Sequence, residues 1–333
     1  MTSADTPSVA DRTRHISAGA PVVGAYFLRD TAVFVLGDEA LLFAAGDGEP
    51  RRVAVHGGGI LAAASDGERI VTGGDDGKVA ATTADMTTTV IAADAKHRWI
   101  DHVAIAPDGT VAWSAGKDAF VQVRKGEPRR LEAPSTVGGL AFAPKGLRLA
   151  IAHYHGVTLW FPNAEAAPER LEWKGSHIDV TFSPDGRYLV TAMQEPTLHG
   201  WRLVDARHMR MSGYSAKVRS MSWAHDGKAL ATSGSPQLIV WPFGGKDGPM
   251  GKQPQMLAPA EHGVSTVACH PDKDVTAIGY EDGLVLLVRM PDCAEVLARQ
   301  PGGAPVSALA WNPQGTVMAF GTEDGEAGVI DLA

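Results

Sequence analysis

The 333-residue chain is predicted to be an all-β protein, a β-propeller of four-stranded antiparallel blades. Three observations predict it. A hairpin phrase recurs along the chain, its turns lie a mean of about 41 residues apart, and glycine supplies 38 of the 333 residues, above ordinary usage.

The phrase is an alternating apolar run, a Pro-Asp-Gly-like turn and a second alternating run. Alternation is the mark of a strand, and Asp-Gly supplies the positive backbone angles of a tight turn. Residues 177–192, with the turn Ser183-Pro184-Asp185-Gly186, are the clearest copy. Counting copies by their turns at Asp30, Gly67, Gly109, Gly146, Gly186, Gly227, Lys273 and Gly315 gives spacings of 37, 42, 37, 40, 41, 46 and 42 residues. Each hairpin is followed by a third run, as after Asp76-Gly77 and Asp282-Gly283, and by a shorter charged fourth run such as Gly126-Glu-Pro-Arg-Arg-Leu131. Arginine and proline suit an outer strand whose free edge must be guarded.

This count predicts eight blades. Seven is the alternative, reached by discarding the degenerate hairpin at residues 22–45. The last hairpin lacks a fourth run, and residues 12–16 have that character, so the N-terminal strand is expected to complete the C-terminal blade and close the ring. Residues 1–10 are expected to be disordered and 11–333 to form one propeller domain with negligible helix.

A net charge of −8 argues against broad affinity for nucleic acid. No apolar run is long enough to span a membrane, and the polar start lacks a signal peptide's apolar stretch. Cys269 and Cys293 cannot build a disulfide framework. These features predict a cytoplasmic protein without membrane or nucleic-acid partners, and a closed ring with guarded edges has no strand to donate, so a monomer is expected.

The chain resembles the WD-repeat propeller family over nearly its whole length. The resemblance is carried by the Ser183-Pro-Asp-Gly186 type of turn, the Asp-Gly turn after the second strand, and tryptophans near the end of the third run at Trp160, Trp201 and Trp241. Those tryptophans precede Phe161, Arg202 and Pro242 rather than aspartate, and the family's Gly-His position is filled by Ser176-His177 and Glu261-His262. The resemblance implies a platform for protein partners.

Phe142, Phe182, Trp223 and Trp311 recur just before the first turn and are read as core. His153 and His155 are two apart, which on a strand would aim both at one face as metal ligands could be. Twelve histidines make such coincidences common, and no metal or cofactor is predicted. Ser114-Ala-Gly-Lys117 matches a Ser-x-x-Lys pattern, but it crosses a strand-to-strand turn instead of one helical turn, so no catalytic residue is assigned.

Acidic residues gather at the second-to-third strand turns. Asp75, Glu281 and Glu323 occupy the freer position before an aspartate. With Arg98, Trp99, Tyr154 and Tyr280 nearby, they are the candidate partner-binding residues, aromatic anchors within a charged rim. The expected function is a non-catalytic scaffold binding a protein or peptide on one propeller face. A metal- or small-molecule-binding propeller, or an enzyme with its site at the channel, is the alternative.

Overall fold

The computed structural model describes residues 6–123 and 126–333. The fold is all-β and of propeller type, built from antiparallel sheets whose strands follow chain order except where the N-terminal strand joins the last sheet. Beyond the strands, the described residues contain one short 3-10 turn, Ala10–Arg12.

Sheet I comprises Val22–Leu28, Thr31–Leu36, Ala40–Ala44 and Arg51–Ala54. Sheet II comprises Ile60–Ser65, Arg69–Gly74, Lys78–Thr83 and Thr88–Ala93, and sheet III comprises His102–Ile105, Val111–Ala115, Asp118–Gln122 and Arg129–Glu132. Sheet IV has six strands: Gly139–Phe142, Leu149–Trp160, Glu169–Phe182, Tyr188–Met193, Leu198–Arg202 and Arg207–Met211. Sheet V comprises Met221–Trp223, Ala229–Thr232, Leu238–Pro242 and Gln255–Leu257, and sheet VI comprises Val264–Cys269, Val275–Tyr280, Val285–Arg289 and Ala294–Arg299. Sheet VII comprises Val306–Trp311, Val317–Thr322, Glu326–Asp331 and Thr13–Ser17.

The described strands therefore form seven sheets, not the eight predicted. The seven-blade alternative discarded the hairpin at residues 22–45, yet that hairpin has a sheet of its own. The repeats turning at Gly146 and Gly186 instead share sheet IV, because strand Glu169–Phe182 runs on from one repeat into the next. Strand Leu149–Trp160 reverses within itself. His153 Nε2 lies 2.9 Å from the Thr158 hydroxyl, five residues on, a separation of about 16 Å in extended chain. The reversal uses His155 at φ 71 and Gly156 at φ 140. A Cβ on Gly156 would run into the Leu171 carbonyl, so glycine is required there.

The N-terminal strand pairs with the last one, Thr13 opposite Ile330 through Ser17 opposite Glu326. Of the expected disordered segment, residues 1–5 lie outside the described residues. Farther on, Leu297 N donates to Pro7 O and Val9 N to Leu297 O, each at 2.8 Å.

The chain divides into two compact units. Unit 1 contains residues 1–37, 41–52 and 214–333. Within it the first strands of sheets V, VI and VII lie side by side, and that of sheet VII lies beside Val22–Leu28. Serines tie them together: Ser220 Oγ accepts from Val267 N at 3.0 Å, and Ser265 Oγ donates to Val306 O at 2.6 Å. Between sheets V and VI lies an apolar cluster including Leu238, Val264, Ile278 and Leu286.

Unit 2 contains residues 38–40 and 53–213. Its core includes Val71, Ile100 and Val111 at one contact between sheets and Leu149, Ile151 and Trp160 at the next. Trp160, Trp201 and Trp241 are all buried.

Buried polar networks stiffen several repeats. In sheet II, His56 Nδ1 donates to Asp76 at 3.0 Å, since a carboxylate only accepts, and Nε2 accepts from the Thr72 hydroxyl at 2.8 Å. In the second half of sheet IV, His177 Nδ1 lies 2.7 Å from the Thr191 hydroxyl. In sheet V a tyrosine takes the histidine's place. Trp241 Nε1 donates to the Tyr214 hydroxyl at 2.7 Å, which bonds Thr232 Oγ1 at 2.9 Å, and that hydroxyl donates to Ile239 O at 3.0 Å. His262, expected at the Gly-His position, is instead exposed.

Candidate functional site

In unit 2 the reversal at His155 opens a cleft of about 680 Å³. Pro134 and Ser135, His153 to His155, Val157, and Arg170 to Lys174 line it. Tyr154 is 53% exposed at its edge. Its backbone is fixed, because Tyr154 N donates to Ser135 Oγ at 2.9 Å and its carbonyl accepts from His153 Nδ1 at 2.9 Å. The His155 ring leans on the Tyr154 ring, with centroids 4.0 Å apart.

Trp173 is partly buried and stacks on His199, centroids 4.0 Å apart and planes 14° off parallel. His199 is fully buried with neither ring nitrogen hydrogen-bonded. Burial, then the neighbouring His177, push its pKa down to about 3, so the stack is uncharged at neutral pH. The cleft thus has a rigid aromatic wall.

The predicted residues divide sharply. Trp99 is 61% exposed, as an anchor must be. Arg98, which precedes it, is occupied: it pairs with Asp94 at 2.6 Å and Asp118 at 2.8 Å and donates to Ala115 O. That bond to Arg98 is the largest influence on Asp94 and holds its carboxyl at about 2. Arg98 therefore clamps the entry to sheet III. Asp75 is half-buried and folds over Gly58.

Tyr280 is a correction. It is fully buried, with its hydroxyl donating to Ala258 O at 2.6 Å, because the end of strand Val275–Tyr280 is covered on both faces. It packs unit 1 and presents nothing to a partner. Glu281 and Glu323 are exposed and do come together, lining one cavity of about 600 Å³ in unit 1. Lys217 and Arg219 line it too, so the surface is mixed in charge.

His153 and His155 do not share a face. The reversal buries His153, whose ring nitrogens are taken by the Tyr154 carbonyl and Thr158, and leaves His155 exposed. Among the described residues no group of three or more His, Cys, Asp or Glu could hold a metal ion. Ser114 is buried without a hydrogen-bond partner for its hydroxyl, whereas Lys117 is exposed and pairs with Glu132 at 2.5 Å. They make no nucleophile and base.

Sequence reasoning missed Trp173, His199, Arg170 and Lys174. The sequence did not show the run-on of strand Glu169–Phe182 that brings Trp173 against His199. His56 and Tyr214 were missed as network members. A signal existed: Thr72, Ser114, Thr191 and Thr232 each stand five positions after a turn glycine.

No helix of the described residues is long and apolar enough to cross a membrane. Residues 267–333 match the family model of the anaphase-promoting complex subunit 4 WD40 domain. The chain is also similar to telomerase protein component 1 of Mus musculus, 24% identical over 200 residues, which is 58% of this chain and 7% of that protein. With the recurring hairpin, the four-stranded antiparallel sheets and the His–Thr networks, these similarities support a likeness to the WD-repeat propeller family.

Proposed function

We propose that this chain is a non-catalytic scaffold whose protein or peptide partner docks at the Tyr154 cleft of unit 2. Propellers of the family generally mediate protein interactions. The observation that carries the choice of site is an exposed tyrosine, held by its backbone to Ser135, beside a cleft backed by Trp173. A rigid aromatic anchor loses little entropy on binding, which is why such residues dominate interfaces. Trp99 supplies a second exposed aromatic in the same unit. The reading includes a cytoplasmic monomer, and the net charge of −8 favours protein over nucleic-acid partners.

The test is quantitative affinity capture from the native cell with the wild type, Tyr154→Ala and a Glu281→Ala/Glu323→Ala control. The partner should be lost with Tyr154→Ala and kept by the control. Loss with the control and retention with Tyr154→Ala would move the site to the acidic pair.

A further inference from the structure

We infer that the partner segment held at the Tyr154 cleft is acidic, a linear stretch carrying carboxylates beside an aromatic or aliphatic side chain. The inference rests on the docking reading above and adds the chemistry of the partner.

Several arginines of unit 2 are neutralised within the chain. Arg69 pairs with Asp66, Arg98 with Asp94 and Asp118, Arg148 with Glu169, Arg187 with Asp185, and Arg202 with Asp205. Arg170 and Lys174, both exposed at the cleft, form no such pair. Among the described residues neither side chain has a hydrogen-bond or ion-pair partner. Glu172 stands between them in sequence, and it too pairs with neither. Arg170 and Lys174 outnumber Glu172, the one carboxylate side chain lining the cleft, so in a chain of net charge −8 this cleft carries a net positive charge.

The wall beside them is apolar and aromatic, with Tyr154, Trp173 and Val157. A guanidinium offers a planar fork to a carboxylate, and an ammonium offers a mobile point charge. An adjacent aromatic or aliphatic side chain of the partner would cover the Tyr154 and Trp173 rings. The two kinds of surface lie within one cleft, which selects a segment that carries both chemistries. Complementary charge of this sort sets partner choice more than raw affinity.

A random-peptide display library panned on the full chain tests this, with parallel panning on Tyr154→Ala and on Arg170→Glu/Lys174→Glu. The wild type should enrich Asp- and Glu-rich segments containing an aromatic or aliphatic residue. Tyr154→Ala should lose that pool, and the charge-reversed protein should reject it. A synthetic peptide from the pool should bind Arg170→Gln/Lys174→Gln about tenfold more weakly, the loss of two exposed ion pairs near the upper end of their usual worth, and should weaken with added salt. Both residues are exposed, so the glutamine variant keeps the wild-type melting curve. A Tyr154-dependent pool indifferent to charge overturns the acidic inference and leaves the docking reading standing. The absence of any Tyr154-dependent pool overturns the docking reading itself.

Discussion

Replacing Tyr214 by phenylalanine removes one oxygen from the middle of a buried hydrogen-bond chain. That oxygen accepts from Trp241 Nε1 at 2.7 Å and its proton goes to Thr232 Oγ1 at 2.9 Å. Tyr214, Thr232 and Trp241 are all buried, so water cannot replace the lost partner. The Trp241 N–H is then left without an acceptor, while Thr232 keeps its bond to Ile239 O. Leaving a buried donor unsatisfied costs about 1–3 kcal/mol, and we expect about 2 kcal/mol for Tyr214→Phe. Urea unfolding followed by tryptophan fluorescence should show a lower midpoint at unchanged slope. Thr232→Val breaks the same chain, so the double variant should cost less than the sum of the singles by at least about 0.5 kcal/mol. Burial pushes the Tyr214 pKa up to about 12, so the unfolded chain ionises this group first. Its stabilising contribution is full below pH about 10 and declines as pH rises toward 12, a decline that Tyr214→Phe should lack. A loss under about 0.5 kcal/mol for Tyr214→Phe, or strict additivity, would refute the network as a stiffening element.

Three further outcomes follow from the same accounting. Burial works against the Asp76 carboxylate, but donors from Gly57 N, His56 and Lys78 N outweigh it and hold its pKa at about 2. Asp76→Asn should therefore cost about 1–2 kcal/mol at neutral pH, a difference that shrinks as pH falls from about 4 through about 2 in parallel acid titrations. His199→Phe keeps the ring stacked on Trp173 and removes two unsatisfied nitrogens, so thermal melting should show a gain of up to about 1 kcal/mol; a loss of that size would mean the nitrogens have a hidden partner. Ser114→Ala deletes a buried hydroxyl that bonds nothing and should leave the melting temperature unchanged or higher, whereas a marked fall would restore a role for Ser114.

What the sequence made legible was local. An Asp-Gly pair demands its turn wherever it falls, so the hairpins and their period could be read from single residues. The merging of two repeats in sheet IV could not, because it depends on how strand Glu169–Phe182 pairs with different neighbours at its two ends. Tyr280 was misplaced for a related reason: strand Val275–Tyr280 is covered on both faces and shows no alternation to mark its inner side. Arg98 looked available beside Trp99 until Asp118, twenty residues on, was seen to meet it. The Tyr154 cleft joins three separate segments, at residues 134–135, 153–157 and 170–174, and no one of them announces it. The turn-associated hydroxyls were within reach, since Thr72, Thr191 and Thr232 share a spacing and each meets a ring at the base of its repeat.

The central claim, that a protein partner sits on the Tyr154 cleft, is tested most directly by site-specific photocrosslinking in the native cell. A benzophenone amino acid would be placed at Trp99, Tyr154 or Glu281 in turn. The account predicts a covalent adduct to one protein from position 154, with its peptide mapping to an acidic stretch, and none from position 281. An adduct from position 281 with none from position 154 would contradict it.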